Sequence, residues 1–104
     1  MKNTRLEQLL SFLEEEPSDS FTRFALALEY LKYEDYQAAG EHFEYILQNE
    51  PGYLGVYYHL GKLMEHTGKP EQAETLYIKG IEQANQVSDT HAAKELREAL
   101  EALA

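Results

Sequence analysis

Residues 20–51 read SFTRFALALEYLKYEDYQAAGEHFEYILQNEP, and most of that pattern returns 34 positions later, between Leu54 and Asn85. Leu26-Ala27 falls on Leu60-Gly61, Tyr30 on Met64, Ala39 on Ala73, Phe43 on Tyr77 and Leu47 on Ile81. Taken backwards, the same shift sets Pro51 on Pro17, Leu47 on Leu13 and Phe43 on Leu9. A period of this length, with small residues recurring where large ones would collide, predicts a helical-hairpin repeat. Ala39, Ala73 and Gly61 are then small because two helix backbones approach closely. Tyr30, Phe43 and Tyr77 fill the space beside them.

Helical spacing continues on both sides of that stretch. Leu6, Leu9, Leu10 and Leu13, with Phe12, predict an amphipathic helix over 4–16 that Pro17 stops. Glu14, Glu15 and Glu16 stand at its C-terminal end, where negative charge opposes the helix dipole. Ser18-Asp19-Ser20 supplies N-cap oxygens for a helix that starts near Phe21. That helix carries two apolar stripes, one through Phe21, Phe24, Ala25, Leu28 and Leu31, the other through Leu26, Ala27 and Tyr30. So wide an apolar arc is packed on two sides or offers a binding face. Asp35 reads as the cap of a helix over 36–49, and Pro51-Gly52 breaks the chain. Helices over 53–66 and 70–84 follow, joined at Thr67-Gly68-Lys69-Pro70, with Pro70 suited to the first helical turn.

A last helix over 89–103 has one apolar stripe (Ala92, Ala93, Leu96, Ala99, Leu100, Leu103) and a charged remainder, as the end of a helical stack requires. The 34-residue register does not reach it: a shift of 36 is needed to set Leu96 on Leu60 and Leu100 on Met64. The expected fold is all-α, about six antiparallel helices in one domain, 1–104. Its parts are a half-repeat helix at 4–16, repeat one at 20–53, repeat two at 54–87 and a capping helix at 89–103.

The 104 residues hold 19 acidic and 9 basic side chains, a formal charge of −10. That sign disfavours nucleic acid, whose binders release counterions with Lys and Arg, and anionic lipid. With no cysteine, there is no disulfide, thiolate metal site or Cys nucleophile. The N-terminal residues lack a signal peptide's apolar run, and no apolar run approaches the ~20 residues of a membrane span; a cytoplasmic location is expected. Ser11, Ser18, Ser20 and Ser88 have no glycine-flanked elbow, and Gly52, Gly55 and Gly61 form no phosphate-binding loop. No enzyme, cofactor or metal is expected. His59, Lys62 and His66 share a helix face, but histidines two turns apart, about 10 Å along the axis, cannot share a metal ion. They read as a small basic spot for an acidic or C-terminal group, or as a solvated face. His42 and His91 read as isolated surface residues.

These residues resemble the tetratricopeptide-repeat family, whose unit is similar to W-x2-L-G-x2-Y, a turn, Y-x2-A-x3-F, then A and P. Leu26-Ala27, Tyr30, Tyr36, Ala39, Phe43 and Pro51 carry it in the first unit. Tyr57, Leu60-Gly61, Met64, Gly68, Pro70, Ala73, Tyr77 and Gly80 carry it in the second. Departures are Arg23 at the large aromatic, Ala27 for glycine, Ile46 for a small residue and Asn85 for the closing proline. The resemblance implies a right-handed solenoid that binds a peptide segment of a partner protein in a concave groove lined by the first helix of each hairpin. The implied groove residues are Phe21, Phe24, Ala25, Leu28 and Lys32 from one hairpin. Tyr53, Tyr58, His59, Lys62 and His66, with Gly55, come from the other. The competing expectation is that the N-terminal or the capping helix folds over them. Family members that grip chaperone C-terminal carboxylates use Lys, Arg and Asn where this chain has Phe21, Ala25, Gly55 and His59, so that specialisation does not carry over. A self-associating structural unit, paired through its apolar face or terminal helices, is the alternative function.

Overall fold

The computed structural model describes residues 4–104. Its six α-helices are α1 (Thr4–Glu15), α2 (Ser20–Lys32), α3 (Tyr36–Asn49), α4 (Leu54–His66), α5 (Pro70–Gln86) and α6 (Thr90–Ala102). They group into two units that divide between Glu50 and Pro51, at the break the sequence marks. In the first unit α2 packs on α1 and α3; in the second α5 packs on α4 and α6, and α6 also meets α4.

Three turns share one backbone design. Glu34, Gly68 and Ser88 each adopt a left-handed φ, 58°, 79° and 57° respectively. Around each, the next residue's amide reaches back to the helix it leaves: Asp35 N to Tyr30 O, Lys69 N to Met64 O and Asp89 N to Ala84 O. The left-handed residues themselves donate to Leu31, Glu65 and Asn85. This is the Schellman arrangement, which satisfies carbonyls the helix end would otherwise leave open. Three of the starts are capped by carboxylates: Asp19 accepts from Thr22 N, Asp35 from Ala38 N and Asp89 from Ala92 N. α5 has no side-chain cap and starts on Pro70, whose missing N–H is an orphan position in any helix.

The register slip has a local cause. α5 is 17 residues against 14 for α3, and the turn after it is one residue shorter. Together these shift α6 by two positions. The helix outruns its expected end at residue 84 because Asn85 stands where the first repeat has Pro51, and no ring blocks the next turn.

Small residues let the paired helices close on each other. A Cβ on Gly61 would lie 2.2 Å from Tyr77 Cε1, and one on Gly80 would lie 2.7 Å from Tyr57 Cβ and 2.9 Å from Leu96 Cδ1. Each helix of the α4–α5 pair thus offers a glycine to the other's tyrosine. In the first unit the corresponding positions are Ala27 with Phe43 and Arg23 with Ile46. Ala27, Phe43 and Ile46 have no exposed surface. The larger Ile46 is matched by loss of the aromatic at Arg23, whose guanidinium instead lies 3.5 Å from the centroid of the Tyr45 ring. Arg23 Nε also donates to Pro17 O at 2.9 Å, so the departure from the family pattern has its own packing solution.

Two expectations need correction. His42 is not an isolated surface residue: it is half-buried, stacked on Tyr30 with centroids 5.8 Å apart, and its Nδ1 lies 3.3 Å from Arg23 Nη1. In α1 only part of the leucine stripe is used: Leu9 is buried with Ala25 and Leu26, flanked by Leu6 and Leu13. Leu10 and Phe12 remain exposed.

Gly61→Ala should lower stability by about 1–3 kcal/mol in urea unfolding, because overpacking against a buried tyrosine outweighs alanine's better helix propensity. Glu34→Gly and Ser88→Gly should each raise it, by about 1 kcal/mol, since a side chain at left-handed φ costs roughly that much; a loss in both would refute the turn assignment. His42 is held below its ordinary pKa by burial, then by the Arg23 charge. Its neutral ring therefore contributes stability that is present above pH 6.5 and lost as pH falls towards the folded-state value. Wild type should lose more stability between pH 7.5 and 5.5 than His42→Gln, and equal losses would contradict this.

Candidate interaction faces on α2 and α4

On α2, the Asp19 cap fixes where the helix starts and so which side chains leave the packed stripe. Phe21, in the first turn, is 70% exposed. Phe24 is half-buried and meets Phe43 at 6.0 Å between centroids, tilted by 59°. It therefore divides its ring between the α2–α3 seam and the surface. Leu28 is half-buried and Ala25 is buried with Leu9 of α1. Ala25 thus serves helix packing, with α1 against that side of α2.

Lys32 does not stand alone. Its Nζ lies 3.3 Å from Glu29 Oε1, which also receives Arg5 Nε of α1 at 3.5 Å. Glu29 is 5% exposed, and a buried carboxylate persists only when paired. The cation expected to meet a ligand is thus half committed to neutralising an internal acid. In the sequence Glu29 is masked by its place between the apolar Leu28 and Tyr30. The available signal was a lone acid inside an apolar stripe with a lysine three residues on.

On α4, the Tyr57 hydroxyl donates to Pro51 O at 2.5 Å and ties the helix to the preceding break. Tyr53 is half-buried at the N-cap, and Gly55 is exposed. Tyr58 and His59 are half-buried neighbours with ring centroids 5.5 Å apart, edge to face at 87°. Lys62 Nζ lies 5.6 Å from the Tyr58 ring centroid and 3.8 Å from Glu65 Oε2. Glu65 also accepts from the Tyr77 hydroxyl of α5. Burial, reinforced by that bond, pushes the Tyr77 phenol far above its usual range, so it stays a proton donor. His66 is exposed.

The structure thus recasts the basic spot on α4. Burial holds His59 below its ordinary pKa, against an opposing pull from Glu95 of α6, so the ring is neutral at pH 7. Lys62 has a carboxylate beside it. What remains is an amphipathic aromatic face: Tyr58 and His59 edges, an ammonium held over a ring, and an acid anchored to the packing core. Such groups contact other molecules by area, cation–π attraction and hydrogen bonding.

The tetratricopeptide-repeat family model matches residues 30–100. Among solved structures, the crystal structure of a tetratricopeptide repeat domain protein from Salinibacter ruber is similar over 82% of this chain and 94% of its own, at 39% identity and a TM-score of 0.78. A solution structure of a tetratricopeptide repeat domain protein from the same organism matches 85% of this chain and 89% of its own, also at 39% identity, with a TM-score of 0.81. A solution structure of a protein from Bordetella parapertussis covers 99% of this chain and 89% of its own, at 27% identity and a TM-score of 0.83. No curated protein matches. Tetratricopeptide-repeat domains generally act as non-catalytic modules for protein–protein interaction. With repeat register, helix order and packing residues all in agreement, the chain belongs to the tetratricopeptide-repeat family.

Proposed function

We propose that the chain is a non-catalytic interaction module that contacts peptide segments of a partner protein through the exposed aromatic face of α2 and through that of α4. The observation that carries this reading is that both helices keep aromatic surface in reach of solvent after packing is complete. Phe21 is 70% exposed on α2, and Tyr58 lies half-exposed beneath Lys62 on α4. Accessible aromatic groups of this kind mark contact surfaces more often than isolated aliphatics do. The charge of −10 favours segments that are not strongly acidic. No described helix is long and apolar enough to cross a membrane, which fits a partner met in water.

Phe21→Ala/Tyr58→Ala is the informative double variant, since Phe24 also serves the α2–α3 seam and its removal would confuse binding with folding. Peptides selected from a random display library on wild type should bind the variant at least about tenfold more weakly, as loss of two contact aromatics implies, while circular dichroism stays unchanged. Equal binding to both proteins would sink the reading. A mass that rises with concentration and falls back in the variant would favour self-association instead.

A further inference from the structure

Each unit ties the first helix of its hairpin back to the proline before it. In the first unit Arg23 Nε donates to Pro17 O at 2.9 Å; in the second the Tyr57 hydroxyl donates to Pro51 O at 2.5 Å. Arg23 and Tyr57 stand 34 positions apart, as do Pro17 and Pro51. The two bonds are therefore one feature of the repeat, made by two different side chains. Burial pushes the Tyr57 phenol above its ordinary pKa, so that tie keeps its proton through the neutral and acid range. Arg23 keeps its charge as well, but its seat depends on a group that does titrate.

The half-buried guanidinium has three neighbours. Besides Pro17 O, it lies 3.5 Å from the centroid of the Tyr45 ring, and its Nη1 is 3.3 Å from His42 Nδ1. A guanidinium only donates, so the last contact requires an unprotonated Nδ1, with the ring proton on Nε2. Stacking on Tyr30, with centroids 5.8 Å apart and planes within 8°, steadies the imidazole in that position. The groups acting on the ring are Arg23 and Tyr30 from α2, the helix packed on α3, and Glu41 from α3 itself. Burial and then the Arg23 charge favour the neutral ring, and Glu41 opposes them more weakly. A proton on Nδ1 would remove the lone pair that Arg23 uses. It would also set two cations 3.3 Å apart in a half-buried site, where water screens their repulsion poorly. The second unit has Leu76 where the first has His42, a side chain with no proton to gain.

We infer that His42 is a proton-operated catch on the corner between α1 and α2. With the ring neutral, Arg23 is seated and holds Pro17; with the ring protonated, the guanidinium is expelled and the corner loosens. The Arg5–Glu29 pair and buried Leu9 keep α1 on α2 in both states. The change is thus confined to the end of α1 and the turn after it, while the second unit keeps its own tie. Protonating an ordinary buried histidine weakens a fold as a whole; the catch assigns the change to one bond and one corner. It does not rest on the proposed peptide-binding function.

An NMR titration of the full chain, from pH 7.5 down until the His42 ring has titrated, tests this. The Arg23 Nε–Hε resonance should lose its hydrogen-bonded shift with the same midpoint as the His42 ring. The Glu16 and Asp19 amides, which donate to Phe12 O and Glu16 O, should lose hydrogen-exchange protection about tenfold over that range, as loss of one charge-assisted bond implies. The Val56 amide, which donates to Tyr53 O beside the Tyr57 tie, should keep its protection. In His42→Gln, whose amide oxygen accepts from Arg23 at any pH, both signals should hold their neutral-pH values. Arg23→Gln should raise the His42 midpoint by roughly half a unit or more, since it removes a neighbouring cation. Separate midpoints for Arg23 and His42, an equal loss of protection in His42→Gln, or an unmoved His42 midpoint in Arg23→Gln would each overturn the inference. Should a variant fail to fold, the two midpoints in the wild type still decide.

Discussion

Close approach of paired helix backbones is the constraint on which the rest of the structure depends. Between α4 and α5 it is met reciprocally: Gly61 makes room for Tyr77, and Gly80 makes room for Tyr57. Interiors are packed at crystal density, so a residue at one of these four positions sets what its opposite number can be. The first unit shows the same rule with other residues. Ile46 stands where the second unit has Gly80, and the aromatic that would meet it has become Arg23. The displaced arginine lies over Tyr45 and bonds back to the carbonyl of Pro17. Variation within the repeat is therefore coupled across the helix pair.

The helices and their order were legible because they rest on local chemistry that survives in one dimension: period, caps, prolines and small residues. The left-handed turn at Gly68 could be read from its glycine, while the equivalent turns at Glu34 and Ser88 could not. There the backbone conformation is imposed by the hydrogen bonds of the helix end. The length of α5 was not legible for a related reason. Asn85 departs from the repeat pattern, and the physical meaning of that departure is permission for the helix to continue.

Side-chain partnerships between helices were less legible. The packing of His42 was not legible because nothing in the sequence sets it against Tyr30 and Arg23. Glu29 looked unremarkable in one dimension and proves to be a buried acid shared by two cations from two helices. Glu65 likewise joins Lys62 to the Tyr77 hydroxyl across 12 residues. In each case the residue type was visible, but its role follows from distances that only the packed chain defines. The faces of α2 and α4 show the consequence. Both lysines on them are already engaged with carboxylates, so what these faces leave open to solvent is more aromatic area than bare charge.

The boundary between Glu50 and Pro51 also has a meaning for how the chain is made. Within the first unit, α2 pairs with the helices directly before and after it in sequence, and the loops that bring them together are short. Short loops close at little entropic cost, and contacts between sequence neighbours form quickly. As synthesis runs from the N-terminus, α1, α2 and α3 can be joined while the second unit is still being made. A nascent chain that joined these three helices early would leave its apolar stripes exposed for less time than one whose partners lay far along the sequence.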